Sequence, residues 1–391
     1  MSSIVSSRSR GQAGLYLHIP FCSAICPYCD FSVLLGGPKR RQSFIASLLT
    51  EMALQESDGW SFDTVYFGGG TPSALEPEDL VRILAAAGER FTIEPRARLF
   101  FEANPEDVTA DSALAWKRAG VETLSLGIQS FNSTALQYLG RRHDPDQARK
   151  SVEIARQTGF STVSLDLIYG WPGQVLEDWR RDLETAAATG VDHLSCYQLT
   201  IHQGTPFGFR AARGQLREMD QDSQADLFRL THSLLRDKGL PGYEVSSFAR
   251  DPTHQSKHNR KYWNHTPYLG LGPSAHSFVS SRRSWNVRKL GSYETKLAQR
   301  VLPEGGSEGL SPRDLALEAL MLGFRTYEGI DFAAMEKEYE VSLLEGNEAV
   351  IERLLAEGLV SASKGRLKPT LAGLAVADSL ALAFELPALP G

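Results

Sequence analysis

The stretch Gly14–Ser32, GLYLHIPFCSAICPYCDFS, constrains this chain more than any other. It holds three of the four cysteines, Cys22, Cys26 and Cys29, in the spacing C-x3-C-x2-C. Thiolates so close in sequence can close on one face of a small metal cluster. A cubane iron–sulfur cluster has four irons and takes cysteine thiolates as its usual ligands. Three cysteines leave one iron open to a small molecule, by the logic that separates closed structural metal sites from open catalytic ones. Two plainer readings use the same residues. Cys26 and Cys29 form a C-x2-C that suits a redox dithiol, and His18 is at hand as the fourth donor of a zinc site.

Four cysteines, three of them clustered, argue for a metal and a reducing compartment rather than a disulfide framework. The net charge of −6 provides no general basic field, so nucleic acid is not an expected partner. No apolar run approaches the ~20 residues that span a bilayer. The opening residues lack the apolar centre of a secretory signal, and 1–13 read as a disordered tail. A cytoplasmic protein without a transmembrane segment is expected.

Short apolar runs then recur at Leu15–Ile19, Thr64–Phe67, Leu99–Glu102, Thr123–Ile128, Val163–Ile168 and His193–Leu199, with amphipathic segments between them. Six such β–α pairs predict an α/β fold with a parallel sheet and crossover helices. Periodicity does not separate an open doubly wound sheet from a curved partial barrel. In either, reactive groups belong at the C-terminal ends of the strands. Gly68-Gly69-Gly70-Thr71 follows the second run, and its glycines allow close backbone approach to a ligand. Glu102 ends the third run and Gln129 directly follows the fourth, where a polar group is expensive without a partner. Arg141 or Arg142, in Leu-Gly-Arg-Arg-His, offers a guanidinium fork suited to a carboxylate. Asp166 lies inside an otherwise apolar run and is able to accept hydrogen bonds from hydroxyls.

The later chain changes texture. Residues 14–240 read as the β–α core and 241–302 as an aromatic, histidine-rich connecting segment. The latter holds His254, His258, His265 and His276. Pro303–Pro312, with three glycines, reads as a linker. Residues 303–391 read as a mainly helical C-terminal domain with a short hairpin.

The residues also carry a resemblance. C-x3-C-x2-C with Tyr28 before the last cysteine resembles the signature of the radical S-adenosylmethionine (radical SAM) superfamily. Tyr16–Cys22, YLHIPFC, resembles the branch that holds oxygen-independent coproporphyrinogen III oxidases (HemN) and HemW heme chaperones. The resemblance implies a partial (βα)6 TIM-like barrel with a winged-helix-like C-terminal domain. It implies a [4Fe–4S] cluster on Cys22, Cys26 and Cys29, with S-adenosyl-L-methionine (SAM) chelated by the open iron. SAM contacts are implied at Tyr16, Tyr28, Gly69, Gly70, Thr71, Glu102, Gln129, Arg141 and Asp166. The oxidases have a fourth cysteine two residues after the third; here that position is Phe31. His258–Trp263, HNRKYW, matches the H-N-x-x-Y-W motif associated with HemW. Both features favour a heme chaperone that delivers heme to acceptor proteins, respiratory and membrane-associated ones among them. The alternative is an oxidase making protoporphyrinogen IX in porphyrin biosynthesis. His258 is the candidate heme ligand and His276 the runner-up, with Arg260 and Lys261 as partners for the heme propionates. The resemblance leaves a homodimer open.

Overall fold

Along the first six strands, large apolar side chains alternate with small or polar ones, and this period of two decides what faces the helices and what faces the lumen. The computed structural model describes residues 12–386. Most of the expected N-terminal tail therefore lies outside the described residues, and Ala13 already opens the first strand. The strands are β1 (Ala13–Ile19), β2 (Ser61–Gly69), β3 (Thr92–Ala103), β4 (Thr123–Gln129), β5 (Thr162–Tyr169) and β6 (His193–Gln198). Helices join them: α1 (Pro38–Leu54), α2 (Pro77–Arg90), α3 (Ala110–Arg118), α4 (Pro145–Thr158) and α5 (Leu176–Ala188).

The six strands pair in parallel and in sequential order. A doubly wound sheet reverses its order at a switch point. No reversal occurs among these six, so the partial barrel is the arrangement adopted. Leu15, Leu17, Val65, Phe67, Phe101, Leu124, Leu126, Leu165 and Leu194 turn outward into one core with Phe44, Ile83, Trp116, Val152 and Trp179 of the helices. Cys196 joins that core as a small buried residue. The alternate positions, Tyr16, Tyr66, Glu102, Ser125, Asp166 and Ser195, are left for the lumen.

Both flanks of the barrel are extended. Beyond β6 runs antiparallel β7 (Ser247–Ala249). Beyond β1 come β8 (Tyr268–Leu271), parallel to it, and then antiparallel β9 (His276–Val279), β10 (Arg282–Asn286) and β11 (Glu304–Gly309). The expected linker Pro303–Pro312 is thus corrected: its glycine-rich middle is an edge strand. Its sequence, EGGSEG, faces solvent on nearly every residue and shows no apolar alternation.

The C-terminal unit has the expected helical character, with helices Pro312–Phe324, Phe332–Tyr339, Glu348–Ala356 and Ala377–Leu382 around a small three-stranded sheet. Its core takes in Phe278 of β9 and packs against Tyr268 of β8. Among the described residues no helix is long and apolar enough to cross a membrane.

Candidate functional site

The C-terminal ends of the strands surround a cavity of about 370 Å³. Cys22, Cys26, Tyr28, Cys29, Gly69, Gly70, Thr71, Glu102, Gln129, Arg141 and Asp166 all line it, although the sequence scatters them from the first strand to the fifth. Tyr16 does not. Its hydroxyl lies 3.2 Å from His18 Nδ1 and its ring packs near Tyr66 and His258, deeper in the barrel.

The three cysteines are free thiols. Thr71 Oγ1 donates to Cys22 Sγ at 3.4 Å, and Arg141 Nη1 donates to Cys26 Sγ at 3.3 Å. Burial raises the Cys22 and Cys29 thiols, Cys29 to about 11, so a metal that takes them as thiolates must displace protons. The loop that carries them is fastened at its far end. His18 Nε2 lies 3.0 Å from the Ser32 carbonyl oxygen, Ser32 Oγ donates to the Arg288 carbonyl at 3.0 Å, and Arg288 Nη2 donates to the Asp30 carbonyl at 2.9 Å. Both His18 nitrogens are therefore engaged away from the thiols, which removes the fourth donor from the zinc reading.

Glu102 projects from β3 because the period of two turns it away from its core neighbours Phe101 and Ala103. Burial pushes its carboxyl up to about 7, while the Tyr66 hydroxyl, donating at 2.6 Å, and the Gly69 N–H pull it back. Asp166 is pushed up to about 6 by burial, against hydroxyls from Ser195 and Ser125. Arg141 stands opposite. Its Nη2 donates to Asn104 Oδ1 at 2.6 Å and to the Gly127 carbonyl at 3.0 Å, and its buried Nε has no partner among the described residues. Burial would lower this guanidinium, but Tyr28 and Cys26 beside it hold it above its ordinary value. Gln129 closes β4 with φ 65, in the left-handed region that side chains seldom enter, at a break in the β4–β5 register.

The donor set fits the cofactors considered above. Three thiols beside one cavity suit a cluster with one open iron. A guanidinium with an unpaired buried N–H suits a carboxylate, and two buried carboxyls suit an amino group and sugar hydroxyls. The glycine run does other work than expected. Gly69 has φ +106, and a Cβ there would lie 2.5 Å from His18 Nδ1; the Gly70 N–H is taken by the Ile19 carbonyl at 2.8 Å. Close packing against the end of β1, rather than bare N–H groups, is what these residues supply.

The histidine-rich segment is not part of this cavity. His258 precedes α6 (Asn259–Trp263) and plugs the opposite end of the barrel. It is buried, with Nδ1 2.9 Å from Thr64 Oγ1 and Nε2 2.9 Å from the Tyr262 hydroxyl. Burial lowers its pKa to about 3, so it stays neutral. Both nitrogens being used, His258 stands in this structure as a buried plug with no ring nitrogen turned to the cavity. Lys261 and Lys257 pair with Asp63 at 2.6 and 2.9 Å, and Arg260 pairs with Glu328 at 2.6 Å, so these cations are not free for propionates. His254 and His265 bond Thr162 and Tyr339. His276 is exposed on β9, beside Trp285 and away from the cavity.

Sequence reading missed Tyr66, Asn104, Ser125 and Ser195, which hold the cavity groups in place. Asn104, two residues after Glu102 in FEANP, was the one with a visible signal: a polar residue at a strand end.

Residues 16–186 match the family model of the radical SAM superfamily, and residues 310–376 match that of the HemN C-terminal domain. The chain is 36% identical over 376 residues to the heme chaperone HemW of Mycobacterium tuberculosis, covering 94% of this chain and 93% of the relative. It is 33% identical over 392 residues to the mitochondrial radical S-adenosyl methionine domain-containing protein 1 of Mus musculus, covering 97% and 88%. Among solved structures, coproporphyrinogen III oxidase (HemN) from Escherichia coli aligns with a TM-score of 0.83 over 97% of this chain and 91% of that one. Its identity is 22%, and this likeness concerns the fold alone.

Proposed function

This chain belongs to the radical SAM superfamily, in the branch of the HemW heme chaperones, and from that membership we propose that it binds a [4Fe–4S] cluster, SAM and heme and hands heme to acceptor proteins. The observation that carries this reading is the grouping of Cys22, Cys26, Cys29, Glu102, Arg141 and Asp166 around one cavity, with Phe31 where the oxidases have their fourth cysteine.

Cys22, Cys26 and Cys29 would hold the cluster, which when bound supplies an open iron and one-electron chemistry. Arg141 would orient a carboxylate with its free Nε–H while staying locked to Asn104. Ionised Glu102, steadied by Tyr66, would accept from an amino group. Asp166 would accept from ribose hydroxyls, its position fixed by Ser125 and Ser195. The buried setting strengthens each of these contacts by excluding water.

The test is an anaerobic hemin titration of cluster-reconstituted protein, followed by mixing with an apo-heme protein. Saturation near one heme per chain, with transfer to the acceptor, is expected. In parallel, coproporphyrinogen III with SAM and a reductant should yield no protoporphyrinogen. Formation of protoporphyrinogen, with hemin binding that never saturates, would replace the carrier by the oxidase.

A further inference from the structure

The cysteine loop has a back as well as a front. Its front faces the cavity. At its back, Tyr28 packs against a separate small core that includes Leu139, Trp171, Phe207 and Leu216. Two contacts press the loop onto this core. Phe207 N–H donates to the Pro27 carbonyl at 2.9 Å. Gly140 has φ +66, and a Cβ there would sit 2.7 Å from Pro27 Cδ, so glycine is what lets the two segments lie so close. Pro27 is bonded to Cys26. One hydrogen bond and one residue of main chain therefore separate the helix Pro206–Ala212 from a cluster cysteine.

The outer surface of this layer is basic. Residues 203–217 hold Arg210, Arg213 and Arg217 and no acid, in a chain whose net charge is −6. All three are exposed, and none forms an ion pair among the described residues. By contrast, Arg149, Arg181, Arg229 and Arg236 of the outer helices each pair with a nearby acid. Phe209, Arg210 and Arg213 share one face through the three- and four-residue spacing of a helix. Phe209 is 57% exposed. The Arg210 guanidinium lies 5.8 Å from the centroid of the Phe207 ring, which holds its charge over the layer that touches Pro27. An exposed aromatic ring among unpaired arginines has the composition of an interface, and the sign of the charge selects an acidic partner.

We propose that Phe209, Arg210, Arg213 and Arg217 form the docking face for an acidic one-electron carrier protein, which reduces the cluster through the Phe207–Pro27 contact. This assignment rests on the cluster reading above. One-electron chemistry at a buried cluster draws its electron from outside the chain, and the back of the loop admits it while leaving the front free for SAM. A flavin carrier in its hydroquinone form gives up one electron and becomes the semiquinone; the cluster takes that electron and passes from its oxidised to its reduced state. No bond breaks and no group is transferred.

The experiment uses cluster-reconstituted full-length protein with reduced flavodoxin, a small acidic flavin protein, as the carrier. Loss of visible cluster absorbance after anaerobic mixing gives the reduction rate, and calorimetry with oxidised flavodoxin gives binding. The double variant Arg210→Glu/Arg213→Glu should slow reduction by flavodoxin about ten-fold or more at low salt and weaken its binding, and about 0.5 M salt should remove most of the difference. Reduction by dithionite, which needs no docking, should be equal in both proteins. Phe209→Ala should weaken binding while keeping its salt dependence. Lys150→Glu/Lys238→Glu makes the same change of charge on other helix surfaces and should leave the rate at the wild-type value. Equal flavodoxin rates in wild type and the arginine variant overturn the docking face, and so does wild type that takes electrons from dithionite and none from flavodoxin. A variant slowed equally with dithionite overturns it as well, because the arginines then support the cluster itself. Wild type that holds no cluster overturns the cluster reading and this assignment with it.

Discussion

Glu102 is a carboxyl near the midpoint of its titration at neutral pH. Burial raises it to about 7, and only the ionised form accepts from an ammonium group. SAM affinity should therefore fall as pH drops through about 7. The Tyr66 hydroxyl favours the ionised form, so Tyr66→Phe should move that midpoint upward. Equilibrium dialysis across this range decides; a flat profile in the wild type removes Glu102 from the amino-group role. Replacing Cys22, Cys26 or Cys29 by Ala should abolish the stable cluster, since two thiolates hold it poorly. A variant keeping four irons after reconstitution would contradict this. The cysteines were legible in the sequence because cluster chemistry dictates their spacing. Tyr66 was not, because its partner is 36 residues away and nothing in an apolar strand marks one phenol as the support of a distant acid.

At the scale of elements, the six parallel strands were legible because each is buried on the helix side and keeps its apolar period. Strands β8 to β11 were hidden by short length and glycine, and β11 also by two-sided exposure. The histidine-rich stretch misled for a related reason. Helix α6 has only five residues, too few for a helical pattern to show, and its Lys261 turns to buried Asp63 instead of solvent. The plug it forms makes a direct prediction: His258→Ala should lower stability by ~2–4 kcal/mol through lost packing and orphaned Thr64 and Tyr262 hydroxyls. Hemin affinity of the surviving folded protein should not change, and a Soret shift in that variant would restore His258 as ligand. A second buried group reports on pH. Glu51 of α1 accepts from Gly272 N–H, Asn286 and Tyr293, joining the helix to the β8–β10 flank. Burial raises it to about 7, so the folded chain holds a proton that the unfolded chain has already released above about 4.3. Stability attributable to Glu51 thus declines as pH rises from that value to 7. Glu51→Gln should flatten this slope in urea unfolding, whereas an unchanged slope would assign it elsewhere.

For the molecule as a whole, barrel and C-terminal unit are not independent. Phe278 belongs to the second core, Arg260 of the plug pairs with Glu328, and His265 bonds Tyr339. A chain ending after Gly309 would expose Phe278 and loosen the barrel floor, and it should aggregate or bind a hydrophobic dye. A soluble truncation that still takes up a full cluster would show the two units to be separable. No single stretch of sequence reveals this coupling, because each contact spans tens of residues between segments that read locally as loop, helix or strand.

The fastening of the cysteine loop to Arg288 sets an order in time. Cys22 to Cys29 leave the ribosome early, yet Arg288, which holds Asp30, is made 258 residues later. β1 waits as long for its neighbour β8, whose Leu269 pairs with Leu15. At about 5–20 residues per second, roughly 10–50 s separate the thiols from the last parts of their own frame. Iron loaded during that interval would meet a loop without walls. Cluster assembly is thereby assigned to the finished chain, and a stalled nascent chain that stops short of Arg288 should take up no stable cluster.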